Sequence, residues 1–323
     1  MTQTNKIFCD WITVRQTHKN PHSPIYGDIA EYTNQETGEY RKVYQFKTIK
    51  GKHNSSFQIR SDGYTVEYSG NPSRYDQVNN VQGFNLDSSK IKINQAIAGI
   101  GLPPFDEGET IKQITNSGID IEYTGAKFTR IDITQNFKTG SARRRDIYLQ
   151  WIQSQNYPYL RKTLIGLNTY FGKETESRTF RIYDKALEIT KKEKINKIAV
   201  TLNTIGSIRY ELEYRKILKT RNINQWQKAT TKTLEKHFIK DIKPMKKKIT
   251  KVKLSELPPN LVGTYLMYEK GIARQLLSQS TFKRHKKQLL PYGIDISNNV
   301  TSFRPKIETI ELEEFDDDEL LQG

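Results

Sequence analysis

The chain has 323 residues, enough to bury a sizeable core as one large domain or two modest ones. Its 52 Lys and Arg against 36 Asp and Glu give a net charge of +16, and because eight acids face one lysine from Lys306 onward, the rest carries +23. A body this basic suits a polyanion, nucleic acid or an acidic membrane surface. The lone Cys9 excludes an internal disulfide and a cysteine-rich zinc site.

The first part predicts strands. Ile7–Gln16 alternates apolar and polar residues, Tyr40–Lys47 and Ser56–Ser61 follow, and Asp62-Gly63 is a hairpin turn signal before Tyr64-Thr-Val-Glu-Tyr68. Ser69-Gly-Asn-Pro-Ser73 is loop chemistry: a backbone cradle for DNA, a packing corner or an ordinary surface turn. Asp87-Ser-Ser predicts a helix start with a side-chain cap, running to about Ile100 and ended by Gly101-Leu-Pro-Pro104. Ile119–Tyr123 and Phe128–Phe137 read as a hairpin carrying Asp132. Ala142–Gln155 reads as a helix opening with Arg143, Arg144 and Arg145. A basic triplet opposes the helix dipole, so a phosphate partner is expected there, with a solvated surface as the alternative.

Leu167–Gly172 and Thr179–Lys185 read as strands around the turn Lys173–Ser177, followed by a helix from Ala186 to about Ile195 and a strand over Ser207–Leu218. Beyond Gln225 the pattern is helical, with Thr230–Ile242 and Asn260–Lys270 around a charged hinge at Lys243-Pro-Met-Lys-Lys-Lys248. Ile272–Leu277, the turn Ser278-Gln-Ser280 and Thr281–Leu290 suggest a helix-turn-helix whose second helix crowds Lys283, Arg284, His285, Lys286 and Lys287. That helix is expected to bind duplex DNA. The expected fold is α+β: an antiparallel-sheet, nuclease-like core with flanking helices over 1–225, a smaller helical DNA-binding domain over 226–300 and a disordered acidic tail over 301–323. No apolar run approaches the roughly 18 residues of a spanning helix, and no signal-peptide hydrophobic region opens the chain, so a soluble cytoplasmic protein is expected.

Three stretches carry the chemistry: Arg130-Ile-Asp-Ile-Thr134, Arg178-Thr-Phe-Arg-Ile-Tyr-Asp-Lys-Ala-Leu-Glu188 and Arg209-Tyr-Glu-Leu-Glu-Tyr-Arg215. Each alternates with period 2. One face is apolar or aromatic; the other presents Arg130, Asp132 and Thr134, then Arg181 and Tyr183, then Arg209, Glu211, Glu213 and Arg215. Taken alone, any one strand reads first as a solvated face laced by Arg–Glu pairs. Sharing a sheet, the three would gather carboxylates, arginines and a tyrosine hydroxyl suited to cleaving a phosphodiester. Tyrosine needs help for that, since only about one phenol in a thousand is ionised at pH 7. Lys185 lies two residues on and shares the face of Tyr183 if the strand continues, as does Arg181. Asp132, Glu211 and Glu213 supply the hard oxygen ligands that suit Mg²⁺ or Mn²⁺. None of the five histidines forms a His-hydrophobe-His strand pair, and His18 and His22 flank a loop at Asn20-Pro21, so metal is expected on carboxylates. Cys9, within Ile7-Phe-Cys, is expected to be a buried structural thiol.

The succession Arg130-x-Asp132-x-Thr134, Tyr170-Phe-Gly172, Arg181-x-Tyr183-Asp-Lys185-x-x-Glu188 and Arg209-x-Glu211-x-Glu213 resembles the gene II/gene X family of filamentous-phage replication initiators, relatives of plasmid rolling-circle initiators. Upstream, Asp10-Trp-Ile12 with Gln16 and His18, and Ser69-Gly-Asn-Pro-Ser-Arg74, look like that family's amino-terminal signatures. Downstream, Thr281-Phe-Lys-Arg284 and Tyr292-Gly-Ile-Asp295 extend the likeness, which covers about Phe8 to Ile296.

The resemblance implies nicking of supercoiled phage DNA at a plus-strand origin, a 5′-phosphotyrosyl intermediate, a 3′-OH primer and later rejoining without ATP. It implies duplex and single-stranded origin DNA as partners, with host helicase and polymerase, in the bacterial cytoplasm. Tyr183 matches the family's nucleophile; plasmid relatives keep a similar Tyr-Asp-Lys segment, for which a structural tyrosine is the other reading, and Tyr170 is then the alternative nucleophile. A non-catalytic origin-binding regulator with a vestigial nuclease domain is the rival reading. A tyrosine recombinase fits less well, because that class surrounds its nucleophile with Arg and His and this chain has five histidines.

Overall fold

The computed structural model describes residues 7–51, 55–74, 81–115, 118–173, 177–192, 197–246, 249–250, 254–289, 292, 294, 296–297 and 309–314. In chain order come β1 (Phe8–Thr17), β2 (Ile29–Thr33), β3 (Tyr40–Tyr44), β4 (Lys47–Lys50), β5 (Ser56–Ser61), β6 (Thr65–Gly70) and α1 (Leu86–Ala98). Then follow β7 (Thr110–Thr115), β8 (Gly118–Tyr123), β9 (Lys127–Lys138), α2 (Ala142–Ser154), β10 (Lys162–Ile165), β11 (Asn168–Phe171), β12 (Arg178–Asp184), α3 (Lys185–Lys192) and α4 (Lys197–Thr204). The remainder is β13 (Ser207–Tyr214), α5 (Lys216–Thr220), α6 (Thr231–Ile242), β14 (Ile249–Thr250), α7 (Pro259–Glu269), α8 (Ala273–Leu276), α9 (Gln279–Leu289), β15 (Thr309–Ile310) and β16 (Glu313–Glu314). The expected mixture of a large antiparallel sheet with helices is present. Two interleaved compact units divide the chain: residues 1–135, 173–179 and 211–241, and residues 136–172, 180–210 and 242–323. The expected boundary at 225/226 falls inside the first.

In the first unit the sheet runs β13-β9-β1-β6-β5-β4. The period-2 pattern of β1 buries Ile12 and Val14, which join Ile59, Val66, Ile131 and Ile133 in a core from which solvent is excluded. The β5–β6 turn forms as expected: Asp62 Oδ1 accepts the amides of Tyr64 and Thr65 at 2.9 and 2.7 Å, and Gly63 takes φ +102°. Two expectations fail. The helix cap is Asn85, whose Oδ1 accepts from the Ser88 amide at 2.8 Å, so α1 starts one residue before Asp87. The segment 119–123 does not pair with 128–137; β8 pairs with β7, and β9 pairs with β1 from Phe8↔Thr134 to Arg15↔Lys127. The chain leaves β8 through Gly125, where a Cβ would sit 2.1 Å from the Glu107 carbonyl oxygen. A buried tie completes this unit: Asp241 of α6 accepts from Arg178, Arg221 and the Tyr214 hydroxyl at 2.6–2.8 Å.

In the second unit the order is β10-β11-β12-β13-β9, with β16 paired to β9 through Glu313↔Lys138 and Glu314↔Phe137. Phe171, Phe180 and Tyr210 form a fully buried aromatic core with Tyr157, and the Tyr148 and Tyr210 hydroxyls both donate to the Met245 carbonyl. Leu257, Leu261, Leu289, Ile294 and Ile296 form a further apolar cluster with α7 and α9. The expected helix over 272–277 is only the four-residue α8. Of the segment expected as a disordered acidic tail, Thr309–Ile310 and Glu313–Glu314 are strands; the rest of 301–323, apart from Glu311 and Leu312, lies outside the described residues. Among the described residues no helix is long and apolar enough to cross a membrane.

Candidate active site

The first unit gathers the predicted carboxylates. Strand alternation puts Arg130 and Asp132 on one face of β9, and Glu211 and Glu213 on one face of β13. Arg130 Nε donates to Asp132 Oδ1 at 2.8 Å and its Nη2 to Oδ2 at 2.5 Å; the same Nη2 lies 3.1 Å from Glu213 Oε2. Arg215 Nε closes the other side, donating to Glu213 Oε1. Asp132, Glu211 and Glu213 are all buried. Burial pushes the Asp132 carboxyl up to about 7; Arg130 pulls it down, and the Glu211 and Glu213 charges push it up again.

The two amino-terminal signatures meet beside this cluster. Pairing of β1 with β6 sets Ile12 opposite Gly70 and Thr13 opposite Ser69. Ser69 Oγ then accepts from Trp11 Nε1 at 3.0 Å, and Asn71 Nδ2 donates to Asp10 Oδ1 at 2.7 Å. Asn71 Oδ1 accepts the amides of Ser73 and Arg74, which makes the Ser69–Arg74 loop a fixed turn. The Arg130 guanidinium lies 5.6 Å over the Trp11 ring. Ser69 thus orients Trp11, which lies over Arg130, while Asn71 ties Asp10 to the Ser69–Arg74 turn, roles that no local pattern announced. The rings of His18 and His22 also meet edge to face, 5.7 Å apart, with His22 Nε2 and Ser61 Oγ 2.6 Å apart. Burial, and then the charge of His22, lower the His18 pKa. Cys9 is the expected structural thiol: buried, with its pKa pushed up to about 12 by desolvation.

The second unit carries both candidate nucleophiles. Arg181 of β12 sits opposite Tyr170 of β11, and Tyr183 follows Arg181 on the same strand face. Tyr170 is half-buried and Tyr183 buried. Lys185 departs from expectation. The strand ends at Asp184, whose Oδ1 accepts from the Leu187 amide at 3.1 Å and caps α3. Lys185 is therefore helical and fully buried, with Nζ 2.5 Å from Glu188 Oε2, and does not continue the face of Tyr183.

The basic triplet also divides. Arg143 and Arg144 are exposed, but Arg145 is buried and engages Asp184 Oδ2 at 3.1 Å, Asp146 Oδ1 and Asn203 Oδ1. Arg145 ties α2 to the end of β12 and is spent there, because a helix places every third or fourth residue inward. On α9, Lys283, Arg284 and Lys287 are exposed and Lys286 half-buried, while His285 turns inward, its Nδ1 2.6 Å from Thr264 Oγ1.

Comparison with known proteins identifies the family. A solved rolling-circle replication initiator protein from Geobacillus stearothermophilus is similar over 73% of this chain and 84% of its own, at 10% identity and a TM-score of 0.31. The replication-associated protein (the gene II protein) of Enterobacteria phage I2-2 is 24% identical over 317 residues, covering 90% of this chain and 88% of that protein. The family model that describes the amino-terminal part of this replication-associated gene II protein matches residues 8–249, which span the signatures at Asp10 and Ser69, the carboxylate strands and both tyrosines. The chain belongs to this family of phage replication-associated proteins, the gene II/gene X initiators that its motifs resemble.

Proposed function

We propose that the chain is a rolling-circle replication initiator, a metal-dependent, site-specific DNA nickase and strand transferase acting at a phage plus-strand origin. The observation that carries this reading is the buried set Asp132, Glu211 and Glu213, three carboxylates around Arg130 with Asp132 raised to about 7. Such an anion surplus is what a cation site needs, and its all-oxygen donors fit Mg²⁺ or Mn²⁺. Among the described residues no three such groups stand in ready metal-binding geometry, consistent with Arg130 holding both Asp132 oxygens. A bound divalent ion supplies Lewis-acid polarisation of a phosphodiester.

Tyr183 is the proposed nucleophile. Its phenol oxygen forms a bond to phosphorus as the bond to the 3′ oxygen breaks; the phenol proton passes to solvent, and the leaving alkoxide takes up a proton to give the 3′-OH primer. Arg181, on the same strand face, neutralises phosphate charge as the transition state develops. Lys185, bound to Glu188, holds the β12–α3 junction that follows Tyr183. Attack of the 3′-OH on the stored ester reverses these bonds and rejoins the strand. The exposed Lys283, Arg284 and Lys287 of α9 are the proposed duplex contacts, with Lys286 flanking them and Arg143 and Arg144 auxiliary to them. Host helicase and polymerase would act on the primer.

A supercoiled origin plasmid incubated with the protein and Mg²⁺ tests the reading. Wild type should give nicked circles and a covalent adduct, and Tyr183→Phe neither. EDTA should abolish both, and His18→Ala should matter less than Asp132→Asn. A second reading, origin binding without chemistry, is favoured by the arginines that occupy the carboxylates; nicking that is absent with every divalent ion would select it.

A further inference from the structure

The first unit contains a basic cleft that the nicking chemistry does not use. A cavity of about 970 Å³ is lined by Arg15, Lys127, Arg215, Lys216 and Lys219. It adjoins a second cavity of about 340 Å³ that shares Arg15, Tyr123 and Lys127 and adds Lys19, with Glu122 as the acid on its wall. Arg15, Lys216 and Lys219 are exposed, and none of Arg15, Lys127, Lys216 or Lys219 forms an ion pair with a described carboxylate. Such a concentration of unneutralised cations in one concavity is kept for an anion.

The wall of this cleft is apolar in an unusual way. The β7–β8 register sets Thr110 opposite Tyr123, Lys112 opposite Ile121 and Ile114 opposite Ile119, so Lys112, Ile114, Ile119, Ile121 and Tyr123 share one hairpin face. Ile121 and Tyr123 line the larger cavity, and Ile111 and Glu122 of the opposite face line the smaller. Ile114 is 90% exposed, and Ile119 and Ile121 are each 66% exposed. A stripe of three exposed isoleucines running out from a cationic trough calls for a partner that is anionic and apolar at once.

We infer that this cleft binds single-stranded DNA, with phosphates on Arg15, Lys127, Lys216 and Lys219 and unstacked bases against the isoleucine stripe of β7–β8. The inference rests on the proposal that the substrate is DNA and adds where a melted strand is held. A single strand fits better than a duplex because base faces, which an aliphatic stripe can cover, are hidden in a stacked helix. Arg215 links the trough to the carboxylate cluster through Glu213.

The test is fluorescence anisotropy of the full chain with a labelled single-stranded origin oligonucleotide and with its duplex, over a range of salt. Lys216→Gln with Lys219→Gln should weaken single-strand binding about tenfold and flatten the log-affinity against log-salt slope by about 1.4, at roughly 0.7 per phosphate contact. Ile119→Ser with Ile121→Ser should weaken single-strand binding and leave the slope unchanged, because it removes base contacts and no charge. Both pairs are exposed, and unchanged unfolding midpoints would verify that they fold. Duplex affinity should hold in all variants. If both variants bind the single strand like a wild type that nicks, the cleft assignment is wrong and the nickase reading stands. Equal loss on duplex would overturn the single-strand assignment. A wild type that neither binds nor nicks would overturn both.

Discussion

Two buried aspartates of the first unit are each held by arginine, and they titrate in opposite directions. Asp241, 5% exposed, receives Arg178, both Nη atoms of Arg221 and the Tyr214 hydroxyl. Burial raises its pKa, but Arg221, Tyr214 and Arg178 outweigh burial and leave it below the ordinary value. Asp132, 2% exposed, shares the single Arg130 with Glu213 and also feels Glu211, and its carboxyl rises to about 7. Asp132 is the more deeply desolvated of the two and has fewer donors, so burial and the balance of charge both push it up. Asp241 is saturated with donors and serves the fold; Asp132 sits where positive charge is in deficit, the condition for recruiting a cation.

The sharpest way to break this contrast is stability. Asp241→Asn strands Arg178 and Arg221 without their anion and should cost about 3–5 kcal/mol in urea unfolding. Asp132→Asn relieves crowding among three carboxylates while Arg130 keeps Glu213, so it should be neutral or stabilising at pH 8. Equal destabilisation by the two would remove the distinction.

This contrast was only half visible in the sequence. Period-2 alternation is a local signal, so the Arg130–Thr134, Arg181–Tyr183 and Arg209–Arg215 faces were legible before any pairing was known. Pairing is not local. Nothing near Phe128 shows that β9 pairs with β1 rather than with β8, and β7 and β10 lack the period-2 signal, because Ile111 and Ile114, like Leu164 and Ile165, fall on opposite strand faces. Asp184 could not be told from a strand residue until its side chain was seen capping α3, which carried Lys185 off the strand face. The basic cleft was illegible for a simpler reason: Arg15, Lys127 and Lys216 come from distant segments and form no run. Its isoleucines carry no local mark of exposure, since burial is the ordinary fate of a β-branched apolar side chain.

Metal binding comes next in size. Asp132→Asn or Glu211→Gln should weaken Mg²⁺ or Mn²⁺ affinity about tenfold or more by calorimetry, and Asp241→Asn should not. Lowering pH from 8 to 6 should weaken wild-type binding about tenfold as Asp132 takes up its proton, and Asp132→Asn should lose that pH dependence. Metal binding that ignored both substitutions would place the ion elsewhere.

Stability against pH sharpens the comparison further. Asp132 is raised from 3.8 to about 7, so between those values the native state holds a proton that the unfolded chain releases. Its contribution therefore falls as pH rises through that window, with a slope below about 1.4 kcal/mol per pH unit, the limit for one proton. Asp241 is depressed, so its stabilisation is complete above 3.8 and is lost as pH falls through its lower native value. Urea midpoints across pH 4–8 should show the first slope flattened only in Asp132→Asn.

The smallest effect belongs to α9. Lys283→Gln with Lys287→Gln should flatten the salt slope of duplex binding by about 1.8, at roughly 0.9 per phosphate contact. Substitution suits this test better than truncation, because the Met245 carbonyl satisfies both Tyr148 and Tyr210 and β16 pairs with β9.

Peptide mapping of the covalent adduct tests the central claim most directly. After reaction with a supercoiled origin plasmid and Mg²⁺, nuclease and trypsin digestion separate the candidates: Tyr183 falls in the peptide Ile182–Lys185, and Tyr170 in Thr163–Lys173. The account predicts a 5′-phosphonucleotide mass on Ile182–Lys185 that disappears in Tyr183→Phe. A nucleotide on Thr163–Lys173, or no adduct with any divalent ion, would contradict it.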